Sequence, residues 1–470
     1  MKKYFITTLC LIAILATSCS DLLETEPRQS VSIDGALESP DVLNALLIDV
    51  YNSFQGGGTL GSEWIVVPEV MADNFTFNNN RGTYNGQYNN VLRSHLTAWE
   101  VYGYLLQLNV VIEGGAVLDD NTLGEAYALR ALGYLYLMNT YAYMPTAIVG
   151  SQNKGGVPLI TEAVLDLADV TLPARASIDE VYDFMLADVA QAISLMDNSR
   201  SNARFTQAGA QALGSRIALY AGEYALSVQY AQAAIDAGTA SLSTRDNYVS
   251  DWAQFQHPEA IWYLEYQSNE NQGPNTSVMS IYITDGTVIT PDYRGNGDFT
   301  PAQEVLDLLG PTDVRNGLIE EVQTSNLPNP VGTPELKKYI DNGGQGNLTN
   351  IPIFRISEMY LNIAEAEARL GNTLQAQAAL QTLKRRSVSP TYIVTNTGQD
   401  LIDEILVERR LELLGEGHRF FDLKRLGMDI DKSAVDLTGE VISFDDARIL
   451  APLPSGDLEL NPNLENNFGY

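Results

Sequence analysis

Rings and amides alternate along one short stretch of the chain, Arg81-Gly82-Thr83-Tyr84-Asn85-Gly86-Gln87-Tyr88-Asn89-Asn90. Aromatic side chains cover the apolar faces of sugar rings, while Asn, Gln and Arg bond the hydroxyl groups, so this composition suits a polyhydroxylated ligand. The segment Ser277–Phe299 repeats that chemistry far along the chain, with Tyr282, Tyr293, Arg294 and Asp298. The candidate ligand contacts are therefore Arg81, Tyr84, Asn85, Tyr88, Tyr282, Tyr293 and Arg294. The competing reading of each tyrosine is packing. Of the four tryptophans, Trp99, Trp252 and Trp262 read as core, and Trp64 reads equally well either way.

Catalytic patterns are scarce. His95, His257 and His418 stand far apart, with no H-E-x-x-H, no cysteine partner, no G-x-S-x-G elbow and no P-loop. The densest charged cluster is Glu408-Arg409-Arg410-Leu411-Glu412, followed by His418-Arg419-Phe420-Phe421-Asp422. A catalytic Glu408/Glu412 pair would need one acid raised in pKa. The arginines beside them favour ionisation of both, so the cluster reads as a packed ion-pair lattice between helices. The chain is expected not to be an enzyme, and no cofactor or metal site is expected.

The ends carry a different kind of chemistry. Lys2 and Lys3 precede an apolar run of about a dozen residues, too short to span a bilayer of roughly 30 Å. Ala16-Thr17-Ser18-Cys19 follows. This is the layout of a secretory leader, and Cys19 stands where a bacterial lipoprotein is cleaved and acylated. Residues 1–18 are expected to be removed. Of the two cysteines, Cys10 leaves with the leader and Cys19 is the anchor, so the mature body has no thiol. Lys plus Arg is 28 against 59 Asp plus Glu, a net charge of −31. That field disfavours nucleic acid and polyanions and suits neutral or cationic ligands. Only 19% of residues are charged, so the chain is not a disordered acidic tail.

The elements that would position these groups are mostly helical. Apolar spacing predicts a helix over Leu96–Ile112. Thr122-x-x-Glu125 and Ser177-x-x-Glu180 are capping-box patterns that open helices to about Tyr141 and Met196. Thr206 can cap a helix to Ala221, and the next runs to about Ile235. Ile217–Ile235 around Gly222, and Arg355–Leu383 around Gly371, read as one alanine-lined helical hairpin used twice, as in tetratricopeptide repeats. Between Gly238 and Thr349 the helical period fades, and Glu259–Tyr266 reads as a strand.

Arg355-Ile-Ser-Glu-Met-Tyr-Leu-Asn-Ile-Ala-Glu-Ala366, Leu406-Val-Glu-Arg-Arg-Leu-Glu-Leu413, Arg419-Phe-Phe-Asp-Leu-Lys-Arg425 and the closing Ala451-Pro-Leu-Pro454 resemble the SusD/RagB family of Bacteroidetes surface lipoproteins. The resemblance runs from Cys19 to Tyr470. It implies a mostly α fold of about four tetratricopeptide-like hairpins, roughly 90–237 and 353–430, supporting a loop-rich binding portion, roughly 50–90 and 238–350. It also implies a lipid-anchored protein on the outer face of the outer membrane. Such a protein captures an oligosaccharide, expected here to be neutral from the charge balance, and delivers it to a SusC-like TonB-dependent transporter. The alternatives are capture of oligopeptides by the same architecture, or a transporter lid with little ligand affinity of its own.

Overall fold

Helix caps and small residues decide where this chain turns and how closely its helices approach. In the computed structural model, which describes residues 35, 37–284, 295–340, 346–433, 435 and 439–470, the first helix is α1 (Pro40–Gln55). Ser39 caps it, accepting from the Val42 amide, and Pro40 sits where a missing N–H costs nothing. Then come α2 (Glu63–Val70), α3 (Val101–Glu113), α4 (Asp120–Tyr141), α5 (Ile178–Leu195), α6 (Gln207–Ala221) and α7 (Tyr224–Asp236). Nearer the C-terminus are α8 (Ile356–Arg369), α9 (Thr373–Ser387), α10 (Gly398–Glu412) and α11 (Arg419–Arg425). Helix α3 packs on α1 and α4, and each helix from α4 to α8 packs on the next. Helix α8 then carries α9 and α10. Among the described residues, no helix is long and apolar enough to cross a membrane.

The predicted hairpins are present. Helix α6 is capped by Thr206 and ends at Gly222, whose φ of +82° reverses the chain into α7. Gly371, at φ +81°, does the same between α8 and α9. Ser177 and Glu180 form the expected reciprocal capping box on α5. The predicted Thr122–Glu125 box does not form. Asp119 caps α4 instead, accepting from the Thr122 amide, and the helix starts at Asp120. Glu125 is drawn inside, where it accepts from the Tyr51 hydroxyl at 2.8 Å and from Arg204 at 2.6 Å. Helix α3 also begins later than its apolar spacing suggests. The residues before it are committed elsewhere, with Trp64 Nε1 donating to the Thr97 carbonyl and the Ala98 amide donating to Tyr141.

The rest is short strands and bends. Strand β1 (Phe75–Phe77) pairs antiparallel with β3 (Phe299–Pro301), and β2 (Ala260–Leu264) with β6 (Ile351–Arg355). Strand β4 (Ile319–Glu321) pairs with β5 (Pro334–Leu336). Strand β2 lies inside the predicted Glu259–Tyr266. Strand β6 runs straight into α8, which ties the irregular middle of the chain to the helical scaffold. Large rings fill the joins. Trp64 stacks on Tyr136 at 4.0 Å, and Trp262 stacks on Phe205 at 4.4 Å. Trp252 packs edge-on to His257 and Tyr339, and half-buried Trp99 meets Tyr102 and Tyr141. Burying each ring contributes on the order of 2 kcal/mol. All four tryptophans serve the scaffold.

Candidate functional site

The β1–β3 pair brings together two stretches more than two hundred residues apart. Phe77 lies opposite Phe299, so the chain leaving β1 runs beside the chain entering β3. The Asn78 amide donates to the Asp298 carbonyl at 2.7 Å, and its side chain donates to Gly297 O at 3.0 Å. Asn80 Nδ2 donates to Asn296 O at 2.8 Å, and the Arg81 amide donates to Asp298 Oδ1 at 2.7 Å. Asn79 and Tyr84 then take left-handed backbone angles, φ +55° and +54°, and a single helical turn covers Asn85–Tyr88. The result is a rim on which Arg81 and Asn85 are exposed and Tyr84 is half-buried. Burial pushes the Tyr84 phenol up to about 12, so it stays a neutral donor and acceptor.

Two of the predicted contacts are interior. Tyr88 is 3% exposed; its hydroxyl donates to the Val435 carbonyl at 2.6 Å, and the Lys432 ammonium sits 4.4 Å over its ring. Tyr282 is fully buried and stacks on Phe75 at 4.9 Å. Neither can offer a ring face to a ligand. The reason is the apolar floor that β1 and β3 lay down: Phe75, Phe77 and Phe299 need cover, and these tyrosines supply it. Tyr293, Arg294 and Cys19 lie outside the described residues.

A neighbouring hollow was not read from the sequence. It has a volume of about 270 Å³ and is lined by Asn52, Gln55, Gly56, Gly57, Tyr266, Glu270 and Gln272. Gln55 closes the C-terminal end of α1, and its carbonyl accepts from Tyr266 Oη at 2.8 Å and from Gln272 Nε2 at 3.1 Å. Asn296 Nδ2 donates to the Pro274 carbonyl at 2.7 Å, linking this wall to the rim. The Gly56-Gly57-Gly58 run marks the loop, but nothing in the sequence pairs it with Gln272. A larger hollow of about 670 Å³ lies inside the curl of residues 159–171 against Glu113. Its lining has three carboxylates, Glu113, Glu162 and Asp169, and no aromatic ring, so it lacks the groups that cover a sugar face.

The rim presents amides, one phenol and one guanidinium. Among the described residues, no group of three or more His, Cys, Asp or Glu is placed to hold a metal ion. The charged cluster near the C-terminus is buried and paired. Arg315 meets Glu408 at 2.9 Å, Arg386 meets Glu412 at 2.6 Å, and Arg355 meets Glu416 at 2.7 Å and Glu259 at 2.9 Å. Burial alone would raise the Glu412 carboxyl, but Arg386, Arg355 and Arg315 outweigh it and hold it below the ordinary carboxylate range. Glu408 and Glu416 are lowered in the same way. No acid in this lattice is poised to donate a proton. Burial pushes His95 down to about 3 and His257 to about 4, so both are neutral at physiological pH.

The comparisons agree with this architecture. The sequence model of the SusD family matches residues 320–470, and a second, described as "Starch-binding associating with outer membrane", matches residues 21–219. SusD-like protein P38 of Formosa agariphila is 27% identical, with both chains fully covered. Starch-binding protein SusD of Bacteroides thetaiotaomicron is 35% identical over 126 residues, 26% of this chain and 22% of that one. A SusD superfamily structure from Bacteroides thetaiotaomicron superposes with a TM-score of 0.80 at 25% identity, over 93% of this chain and all of its own. Another, from Bacteroides vulgatus, gives 0.79 at 24% identity over 92% and 99%. With both halves of the sequence matched and the helical scaffold superposed end to end, the chain belongs to the SusD/RagB family.

Proposed function

We propose that this protein is a surface lipoprotein, anchored through Cys19 in the outer membrane, that captures a neutral oligosaccharide and hands it to a SusC-like TonB-dependent transporter. The observation that carries the reading is the rim of Arg81, Tyr84 and Asn85, fixed to the 295–298 segment beside the Gln55–Gln272 hollow. Its amides match sugar hydroxyls, and the Tyr84 ring offers the one half-exposed aromatic face among the described candidates. Tyr293 and Arg294 are proposed to add to it. The family descriptions and the starch-binding relative support a carbohydrate ligand and an outer-membrane location. The net charge of −31 favours an uncharged one.

Calorimetry of residues 20–470 against neutral oligosaccharides and an oligopeptide pool tests the reading. Saturable heat from a glycan supports it, and heat from peptides alone overturns the ligand class. Peptide capture is the second reading, because Tyr88 and Tyr282 turn inward and leave the rim rich in amides and poor in rings. Silence with both ligand sets, together with co-purification of a barrel protein from the native envelope, would point to a lid without ligand affinity. Cys19→Ala should abolish lipid labelling and release the protein from the membrane fraction.

A further inference from the structure

One buried amide joins the two segments of the rim to strand β5. Asn329 is fully buried, and its Oδ1 accepts from Asn80 Nδ2 at 2.7 Å. Its Nδ2 donates to the Gly297 carbonyl at 3.1 Å and to Glu335 Oε1 at 3.0 Å. Glu335, on β5 and 1% exposed, also accepts from the Thr284 amide at 2.8 Å. The amide is thus used in both directions: its oxygen holds the loop after β1, and its nitrogen holds the segment before β3. The fit is tight. Gly297 has φ +57°, and a Cβ there would lie 2.2 Å from the Thr284 methyl and 2.5 Å from Asn329 Nδ2. Pro328 and Pro330 flank Asn329 and restrict the backbone on both sides, so the amide is held ready before any ligand arrives.

Resting on the binding role proposed above, we propose that Asn329 is a positioning residue for the rim. It touches no ligand. It sets the spacing between the Asn78–Tyr84 loop and the Asn296–Asp298 segment, so that Arg81 and Tyr84 are presented in one fixed arrangement. Amides suit this task, because each bond has a defined direction and one side chain can both donate and accept. A ligand meeting a preset rim pays less ordering entropy than one that must gather the loop.

The test uses Asn329→Ala, Asn80→Ala and the double variant in residues 20–470. Asn80 is only half-buried, so its variant keeps the experiment informative if Asn329→Ala folds poorly. Hydrogen exchange at the Asn78 and Arg81 amides, both of which donate to Asp298, reads rim order without a ligand. We expect exchange at both to rise at least tenfold in each single variant. The double variant should fall short of the summed single effects, because the Asn80–Asn329 bond is common to both and only the bonds to Asn296, Gly297 and Glu335 are separate. The oligosaccharide or peptide that binds the unaltered protein best in calorimetry should bind each variant about tenfold more weakly, with the thermal midpoint of the half-buried Asn80→Ala only slightly lowered. Unchanged exchange at Asn78 and Arg81, or additive effects in the double variant, would overturn the proposal. So would full affinity in the variants. If the unaltered protein binds nothing in the panel, the binding role fails and the exchange data alone decide whether Asn329 holds the rim.

Discussion

The buried charge lattice and the loop rim at Arg81–Asn85 solve the same mechanical problem with different chemistry. Each ties together segments far apart in sequence. Around α8, α9 and α10, full charges do it: Arg355 reaches Glu259, Glu412 and Glu416, and Arg386 reaches Glu259 and Glu412. At the rim, amides supply the donors, through Asn78, Asn80, Asn296 and Asn329, and among the described residues no ion pair is involved even where the Asp298 and Glu335 carboxylates accept. A buried charge demands its partner, because removing one member strands the other in a low dielectric. An amide can be lost at smaller cost or replaced by water. The lattice is therefore the part that cannot vary one residue at a time, and the rim is the part that can.

The sharpest way to break this comparison is Arg355→Ala. It leaves Glu259, Glu412 and Glu416 short of a partner, and the expected loss is about 3–5 kcal/mol of unfolding free energy. Asn80→Ala, which removes a half-buried neutral tie at the rim, should cost about 1 kcal/mol. Urea unfolding of the two variants side by side measures both. If Arg355→Ala costs less than the rim variant, the contrast between charged and neutral ties is wrong.

Acid offers the next largest effect. Burial would raise the Glu365 carboxyl, but Arg425 and Arg369 outweigh it and bring it to about 2. A lowered carboxylate contributes stability that is present above its unfolded pKa of about 4.3 and lost as pH falls through its folded value. A shift of this size corresponds to roughly 3 kcal/mol. Glu69, Glu125 and Asp188 are pushed up by burial, so their contributions have the opposite sign and fade as pH rises. Glu365→Gln isolates the first effect. Its urea midpoint should fall well below the unaltered protein's at pH 7, and the two curves should converge between about pH 4.5 and pH 2. Parallel curves over that range would show that Glu365 is not held low by its arginines.

The same contrast explains what could be read from the chain. The Glu408–Glu412 and Arg419–Arg425 motifs were legible, because a buried lattice fixes residue type at every position. The α6/α7 and α8/α9 hairpins were legible from alanine spacing and a glycine at each turn. The rim was legible only as a composition. The Arg81–Asn90 loop does meet the 295–298 segment, yet Tyr88 and Tyr282 turn inward, because a ring looks the same in sequence whether it covers Phe75 and Phe299 or faces solvent. Asn329 left no signal at all, since one asparagine between two prolines reads as an ordinary turn. Glu125 misled for a related reason: its capping pattern was local, whereas Tyr51 and Arg204, which capture it, are 74 and 79 residues away.

A smaller effect sharpens the rim side. Tyr84 holds a left-handed backbone angle that asparagine tolerates well, so Tyr84→Asn removes the ring while keeping the turn. A stacked ring contributes about 1 kcal/mol, so affinity for a bound glycan should fall about fivefold in calorimetry, with the circular dichroism spectrum unchanged. Unchanged affinity would place the sugar on other rings.

The smallest expected effect concerns charge at the rim. Arg81 is exposed, and its backbone amide, not its guanidinium, carries the link to Asp298. Arg81→Gln therefore keeps the loop's anchor and retains a hydrogen-bond donor. For a neutral oligosaccharide, the loss should be less than about threefold, since one exposed bond contributes roughly 0.5 kcal/mol. Affinity should also hold steady between low and high salt, because screening acts only on charge–charge attraction. An anionic ligand would behave otherwise. Its affinity would fall steeply with salt and drop at least tenfold in Arg81→Gln. A salt series on both proteins thus asks whether the neutral chemistry that ties the rim together is also the chemistry by which it binds.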